Sequence, residues 1–152
     1  ALPIKPSVIW IDYSELVQAD SEQERMRYDL VMAQVYIQGK RIAKLLNTHV
    51  AILSQLGRSV DEREDKWPGM RDVSQSGAAE KNSDYLCYFM RPEYYLGRGE
   101  KCRLLLPEDE KGVAYCIVGK SRNGPTETVR LAYDARLMAF SEYKQQYEFA
   151  QE

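Results

Sequence analysis

Three things are scarce in this sequence, and each scarcity excludes something. The first is paired cysteine. Cys87, Cys102 and Cys116 are odd in number and none stands in a C-x-x-C pair, which argues against a disulfide framework and against a cysteine zinc site. A reducing, cytoplasmic setting is the expectation. The second is a long apolar run. None approaches the roughly 20 residues of a membrane span, and the opening ALPIKPSV lacks the apolar centre of a signal peptide. The third is an excess of positive charge. Lys and Arg total 21 against 23 Asp and Glu, for a formal net charge of -2. A dedicated duplex-DNA clamp is usually basic, because neutralising phosphates takes many cations. The balance still allows a local basic or backbone N–H contact in a larger assembly. There is no internal repeat and no low-complexity stretch.

A phosphate-binding loop is missing as well. Gly119-Lys120-Ser121 looks like the end of G-x-x-x-x-G-K-[ST], but the first glycine would have to stand where Ala114 is, and Gly112 comes two residues too early. A P-loop opens a helix whose first N–H groups hold the phosphates. Here Arg122-Asn123-Gly124-Pro125 follows, which breaks a helix and makes a turn. Gly39-Lys40-Arg41 falls inside a predicted helix and fits no better.

What is present is the composition of a folded domain. The 152 residues are 44% hydrophobic and 29% charged, close to globular averages, and a domain of this size buries roughly 70% of its unfolded surface. Residues 7–12 (SVIWID) form a short apolar run ending in a carboxylate, as expected of a strand buried on both faces. Ser21 and Glu24 have capping-box spacing. Tyr28, Val31, Val35, Ile42, Leu45 and Leu46 then fall on one helical stripe, so one helix is predicted over residues 21–47, despite about 1 kcal/mol of lost propensity at Gly39. Residues 49–54 (HVAILS) and 85–90 (YLCYFM) predict strands, residues 56–70 a loop, 73–81 a short helix and 92–99 a loop. Residues 101–106 read as a strand. Residues 112–119 and 128–133 predict two strands around Asn123-Gly124, a strong hairpin signal. The polar tail, 141–152, is predicted helical. Strand, helix, strand and then a closing hairpin is α/β organisation, with a mostly parallel sheet and an antiparallel edge.

Several residues carry candidate chemistry. Asp12 ends a predicted buried strand, where a carboxylate either caps neighbouring backbone or holds a cation. Gln55 follows the next strand and has an amide that both donates and accepts; taken by itself it reads as an ordinary loop-start residue. Lys120 and Arg122 are two apart on a predicted strand, so both side chains leave the same face. Such a pair either protects a sheet edge or reaches an anion. His49, the one histidine, reads as structural, and Tyr94 and Tyr95 either pack under their loop or stack on bases.

Three stretches taken in order resemble one family. Residues 9–17 (IWIDYSELV) resemble a Walker B strand ending at Asp12. Residues 52–84 resemble a block that runs from Ser54-Gln55-Leu56 through DNA-facing loops. Residues 119–133 (GKSRNGPTETVRLAY) resemble an arginine-finger block, and residues 91–95 (RPEYY) fit between them. A Walker B pattern by itself is common; the Ser-Gln-Leu block together with K-x-R-N-G-P-T is specific. The chain is thereby similar, up to about Phe140, to the DnaB-type replicative DNA helicases, which have a RecA-type fold. The resemblance implies a C-terminal part of a RecA-like motor over residues 1–140.

It further implies that Asp12 holds the Mg²⁺ of ATP, directly or through water. Gln55 would sense the γ-phosphate. Lys120 and Arg122 would reach, in trans, the ATP of a neighbouring subunit. Ser74, Gln75 and Gly77 would meet single-stranded DNA in the channel of a hexameric ring, and a helicase loader or primase would be a partner. The sequence departs from the family at Ser74, where an arginine is usual, and at Ser14 and Glu15. The family's P-loop and catalytic glutamate are not found, and the resemblance implies that both precede Ala1. The expectations are that this chain alone neither grips nor hydrolyses ATP, and that it is a portion of a longer helicase. A non-enzymatic interaction module, split or decayed from a helicase, is the competing reading. A recombinase-like ATPase is a third, disfavoured by the residue 54–125 pattern.

Overall fold

The first strand, β1 (Val8–Ile11), pairs in parallel with β2 (His49–Ile52), Val8 standing opposite His49 and Ile11 opposite Ile52. Parallel strands need a crossover, and α1 (Tyr28–Leu46) supplies it. The computed structural model of this chain describes residues 5–17, 28–63, 65–73, 76–96 and 111–144. The predicted capping box at Ser21 and Glu24 therefore lies outside the described residues.

Met32, Val35, Tyr36 and Gly39 form the buried face of α1, at helical i, i+3, i+4, i+7 spacing. The expected stripe is corrected toward its C-terminal end, where Leu45 is 84% exposed. Gly39 explains the difference. A Cβ there would lie 2.7 Å from Ile52 Cδ1, so the missing side chain lets the helix settle on β2, and that contact decides which face turns inward. β1 is not buried on both faces as expected. Among the described residues it pairs with β2 alone, and its residues alternate, with Val8 and Trp10 exposed and Ile9 and Ile11 half-buried.

The segment after β2, predicted as loop, carries a short helix, α2 (Ser59–Glu62), and a 3-10 turn (Met70–Asp72). An isolated bridge between Leu56 and Val73 closes it. Next come α3 (Ser76–Asn82) and β3 (Tyr85–Met90), both close to prediction. Residues 92–96 form a helix, α4 (Pro92–Leu96), rather than a loop. Pro92 takes the first helical position, where its fixed φ is already helical and its missing N–H is not needed. The predicted strand at residues 101–106 lies outside the described residues.

The second sheet corrects the expectation of a mostly parallel architecture. It has four antiparallel strands in the order β3-β4-β5-β6, with β4 at Val113–Ser121, β5 at Thr128–Asp134 and β6 at Ala139–Glu142. Ser141 and Glu142 thus belong to a strand, not to a helical tail; residues 145–152 lie outside the described residues. The reversal into β6 is made locally. The Asp134 carboxylate accepts from the backbone N–H of Arg136 at 2.8 Å and of Leu137 at 3.4 Å. Phe140 then packs against Tyr133 and Phe89, with ring centroids at 5.0 and 5.4 Å. Among the described residues no helix is long and apolar enough to cross a membrane.

The predicted hairpin joins β4 to β5 but is wider than a two-residue Asn-Gly turn. Pairing ends at Ile117 opposite Thr128, followed by one bond from Val118 N–H to the Glu127 carbonyl at 2.8 Å. Beyond that point β4 pairs only with β3, and out of step. Cys87 faces Val118 while Leu86 faces Lys120, so Gly119 is an extra residue in β4. A bulge of this kind re-aims the side chains that follow it. A Cβ at Gly119 would lie 2.3 Å from the ring of Tyr88, which is buried. Gly119→Ala is therefore expected to lower stability by about 1–3 kcal/mol, seen as a lower urea midpoint with unchanged slope. A wild-type midpoint would show that Tyr88 does not enforce the glycine.

Candidate functional site

Asp12 stands immediately after β1 and is exposed. The turn that holds it is tied to the end of β2: Leu53 N–H donates to the Ile11 carbonyl at 2.9 Å, and Ser14 N–H donates to the Leu53 carbonyl at 2.8 Å. Ser14 is fully buried in this junction, which gives that departure from the family a packing role. Gln55 follows three residues after β2 and is exposed. Asp12 and Gln55 therefore share the carboxyl edge of the two parallel strands, the edge at which open α/β sheets bind ligands. An exposed carboxylate offers Mg²⁺ one oxygen, and that ion commonly takes only one or two from protein when phosphates supply others. Among the described residues no group of three or more His, Cys, Asp or Glu is placed to hold a metal. His49 begins β2, its N–H donating to the Ser7 carbonyl at 3.3 Å.

The segment between β2 and α3 is organised around Asp72, which is 2% exposed. Its carboxylate accepts from both terminal nitrogens of Arg63 at 2.8 Å, from Ser59 Oγ at 3.1 Å and from Gly69 N–H at 2.8 Å. Its carbonyl accepts from Gly57 N–H at 2.7 Å. Arg63 also donates to the Trp67 carbonyl. Residue 72 is thus the pin of a closed loop, and the expected DNA contacts begin two residues later. Ser74 and Gln75 lie outside the described residues. Gly77 is exposed in the first turn of α3, with open space where a Cβ would stand.

Lys120 and Arg122 do leave β4 together, and both reach the C-terminal end of α3. Lys120 Nζ donates to the carbonyls of Glu80 and Ser83, the latter at 3.0 Å. Arg122 Nη2 donates to the Lys81 carbonyl at 3.3 Å, while Nε lies 3.2 Å from Asp84 Oδ1. The last carbonyls of a helix lack intrahelical partners and carry the negative end of its dipole, so cations are favoured there. The Arg122 side chain keeps 51% of its surface exposed. Gly119-Lys120-Ser121 lies within a strand and precedes a turn, as the sequence implied when it failed as a phosphate loop. Tyr94 and Tyr95 stack edge to face at 5.2 Å.

Two carboxylates that carry this arrangement, Asp72 and Asp84, were not singled out from the sequence. What marks Asp84 is convergence of donors from distant positions, and what marks Asp72 is convergence of donors from within its own loop, Gly57 to Gly69. Lys40 of α1 pairs with Asp84, and this hydrogen bond is the main cause that holds the Asp84 carboxyl below the ordinary value, aided by the charges of Lys40, Arg122 and Lys120.

The fold is similar to that of helicase ATPase domains. A solved structure described as an ATPase domain matches with a TM-score of 0.75 and 28% identity, over 90% of this chain and 44% of that one. A DnaB-like replicative helicase, in a structure described with its interactions with primase, matches with a TM-score of 0.74 and 28% identity, over 90% of this chain and 31% of that one. Residues 4–142 match the DnaB-like helicase C terminal domain, and the chain belongs to that family. It is 34% identical to the replicative DNA helicase DnaB of Buchnera aphidicola over 92% of this chain, and 33% identical to that of Geobacillus stearothermophilus over 95%. It spans 28% and 30% of those two relatives' lengths.

The buried pair gives a pH signature. Burial pushes the Asp72 carboxyl up, but hydrogen bonds from Arg63, Gly69 and Ser59, with the Arg63 charge, outweigh it and leave the group below the ordinary 3.8. A depressed carboxyl stabilises the fold above its unfolded pKa, and that contribution is lost as pH falls through the folded value. Asp72→Asn is expected to lower stability near pH 7 by roughly 3 kcal/mol, since it leaves Arg63 without its counter-charge. It should also flatten the loss of stability below pH 4, measured by denaturation across pH. An unchanged acid slope would assign that loss to other groups.

Proposed function

We propose that this chain is part of a replicative helicase motor that couples ATP hydrolysis at subunit interfaces to movement along single-stranded DNA and to duplex unwinding. The observation that carries the reading is the placement of Lys120 and Arg122. Both cations sit on the end of the helix whose first turn adjoins the expected DNA-contacting residues. Membership in the DnaB-like helicase family supports it.

In this reading Asp12 holds the Mg²⁺ of the nucleotide at the carboxyl edge of β1, and Gln55 beside it senses the γ-phosphate. ATP with Mg²⁺ supplies the phosphoryl group whose transfer drives the motor. Arg122, with its half-exposed side chain, and Lys120 stabilise charge at the interface with a neighbouring subunit of a hexameric ring. Ser74, Gln75 and Gly77 approach the DNA backbone, where small and donor residues let N–H groups close on phosphates. A loader or primase is the accompanying partner.

The interaction-module reading keeps one observation of its own. Trp10 within β1 is 69% exposed and Leu16 after it 61%, and apolar surface of this kind fits contact with a separate protein. The two readings part in a mixing experiment. The chain is combined with a polypeptide carrying the P-loop and catalytic glutamate of a DnaB-type motor, and ATP hydrolysis is followed with Mg²⁺ and single-stranded DNA. Hydrolysis is expected to appear, and Arg122→Ala to lower kcat by roughly 10³. A mixture that stays inactive although both parts are folded and bound to each other overturns the motor reading in favour of the interaction module.

A further inference from the structure

The contacts that hold Arg122 converge on one residue, the last of the 52–84 block, to which the resemblance gave no role. Asp84 lies between α3 and β3. Its carbonyl accepts from the Arg122 N–H at 2.9 Å. One carboxylate oxygen lies 3.2 Å from Arg122 Nε, and the other is paired with Lys40 Nζ. Three parts of the chain therefore meet at this side chain: α1 through Lys40, the link between α3 and β3 through Asp84 itself, and the end of β4 through Arg122. The register explains why. Tyr85 pairs with Ser121, so the residues just beyond that pair, Asp84 and Arg122, fall opposite each other.

Each ion pair here is partly exposed, with side chains 26% and 45% exposed for Lys40 and Asp84. An isolated pair of that kind is worth little to stability. Its value is geometric. With Nε 3.2 Å from a carboxylate oxygen and Nη2 donating to the Lys81 carbonyl, the guanidinium has its plane defined, and the Arg122 backbone N–H is fastened to the Asp84 carbonyl, while half of the side-chain surface stays open. Lys40 holds the carboxylate from behind, and the partly buried Lys40 stem is itself anchored in a helix seated on β2.

Resting on the motor reading above, we infer that Asp84 is a positioning residue for Arg122: braced by Lys40, it fastens the cations of β4 to the C-terminal end of α3 so that the helix and the guanidinium move as one body. α3 has seven residues, about 10 Å at 1.5 Å per residue, too short to absorb a displacement by bending. A shift imposed at Gly77 is then delivered to Lys81, Ser83 and Asp84, and through them to Lys120 and Arg122. Arg122 acts on the phosphates; Asp84 sets where it acts from.

The test separates the anchor from the motor reading by using two readouts on Asp84→Ala and Lys40→Met, both checked for folding by circular dichroism. The first is nuclear magnetic resonance of the chain itself. The Arg122 Nε–Hε signal is expected to be resolved and slow to exchange in the wild type, to merge with the free arginine signals in Asp84→Ala, and to exchange faster in Lys40→Met. The second is ATP hydrolysis in the mixture with the P-loop part. There kcat is expected to fall by about 10²-fold for Asp84→Ala and about tenfold for Lys40→Met, as for a misplaced group remote from the chemistry, with KM for ATP unchanged. A variant that merely unfolds would instead lose activity in proportion to its folded fraction. If wild type is active and Arg122→Ala is not, yet Asp84→Ala keeps full kcat, the inference is wrong while the motor reading stands. If the wild-type mixture is inactive, the motor reading fails and the resonance decides the anchor alone; an Arg122 signal unchanged in Asp84→Ala overturns it.

Discussion

The pairing of β3 with β4 sets the position of every group at the second half of the site. It begins in one register at Met90 and Tyr115 and ends in another at Tyr85 and Ser121, with Gly119 as the extra residue. A one-residue slip sends all following side chains to the opposite face. In register without the bulge, Lys120 and Arg122 would face away from α3. With it, they meet the helix end, where unpaired carbonyls and the Asp84 carboxylate receive them. The buried ring of Tyr88 occupies the space a side chain at 119 would need, so core packing and site geometry are one constraint here.

The two sheets are built by different means. The parallel pair is held by α1, through close approach at Gly39 and a buried patch of Met32, Val35 and Tyr36. Each methylene buried there contributes about 0.8 kcal/mol. The antiparallel sheet is held by its own ladders and by an aromatic cluster in which Phe140 touches Tyr133 and Phe89. Between the sheets the chain passes through the Asp72 loop. That loop buries a charge, which is tolerated because Arg63, Ser59 and two backbone N–H groups satisfy the residue on all sides. In chain order α3 follows that loop and leads to Asp84.

Much of this was legible from local pattern. The apolar runs at 7–12, 49–54 and 85–90 hold the strands Val8–Ile11, His49–Ile52 and Tyr85–Met90, the helix expected over 21–47 is described over Tyr28–Leu46, and the rejection of a phosphate loop at Gly119 agrees with a strand there. The failures share a cause. Pro92-Glu93-Tyr94-Tyr95-Leu96 looked like a loop because five residues are too few to show a period. Residues 141 and 142 look polar and helical in isolation, yet join β6 because the Asp134 turn brings Phe140 back to Tyr133. The apolar run of β1 implied cover on both faces, but how many neighbours a strand has is not written in the strand.

The family blocks, with Asp12, Gln55, Lys120 and Arg122 in order, were determined by sequence alone, as were the order of most elements and the same-face relation of residues two apart. The resemblance rests on residue type and local spacing, which a linear reading preserves. Tertiary structure decided the antiparallel majority of the strands, the bulge at Gly119, the burial of Asp72 and the meeting of Lys40, Asp84 and Arg122. The burial of Asp72 depends on donors gathered from Gly57 to Gly69 by the closing of its loop; the others depend on register and on contacts between residues tens of positions apart, where a single inserted residue exchanges one face for the other and no local pattern records the choice.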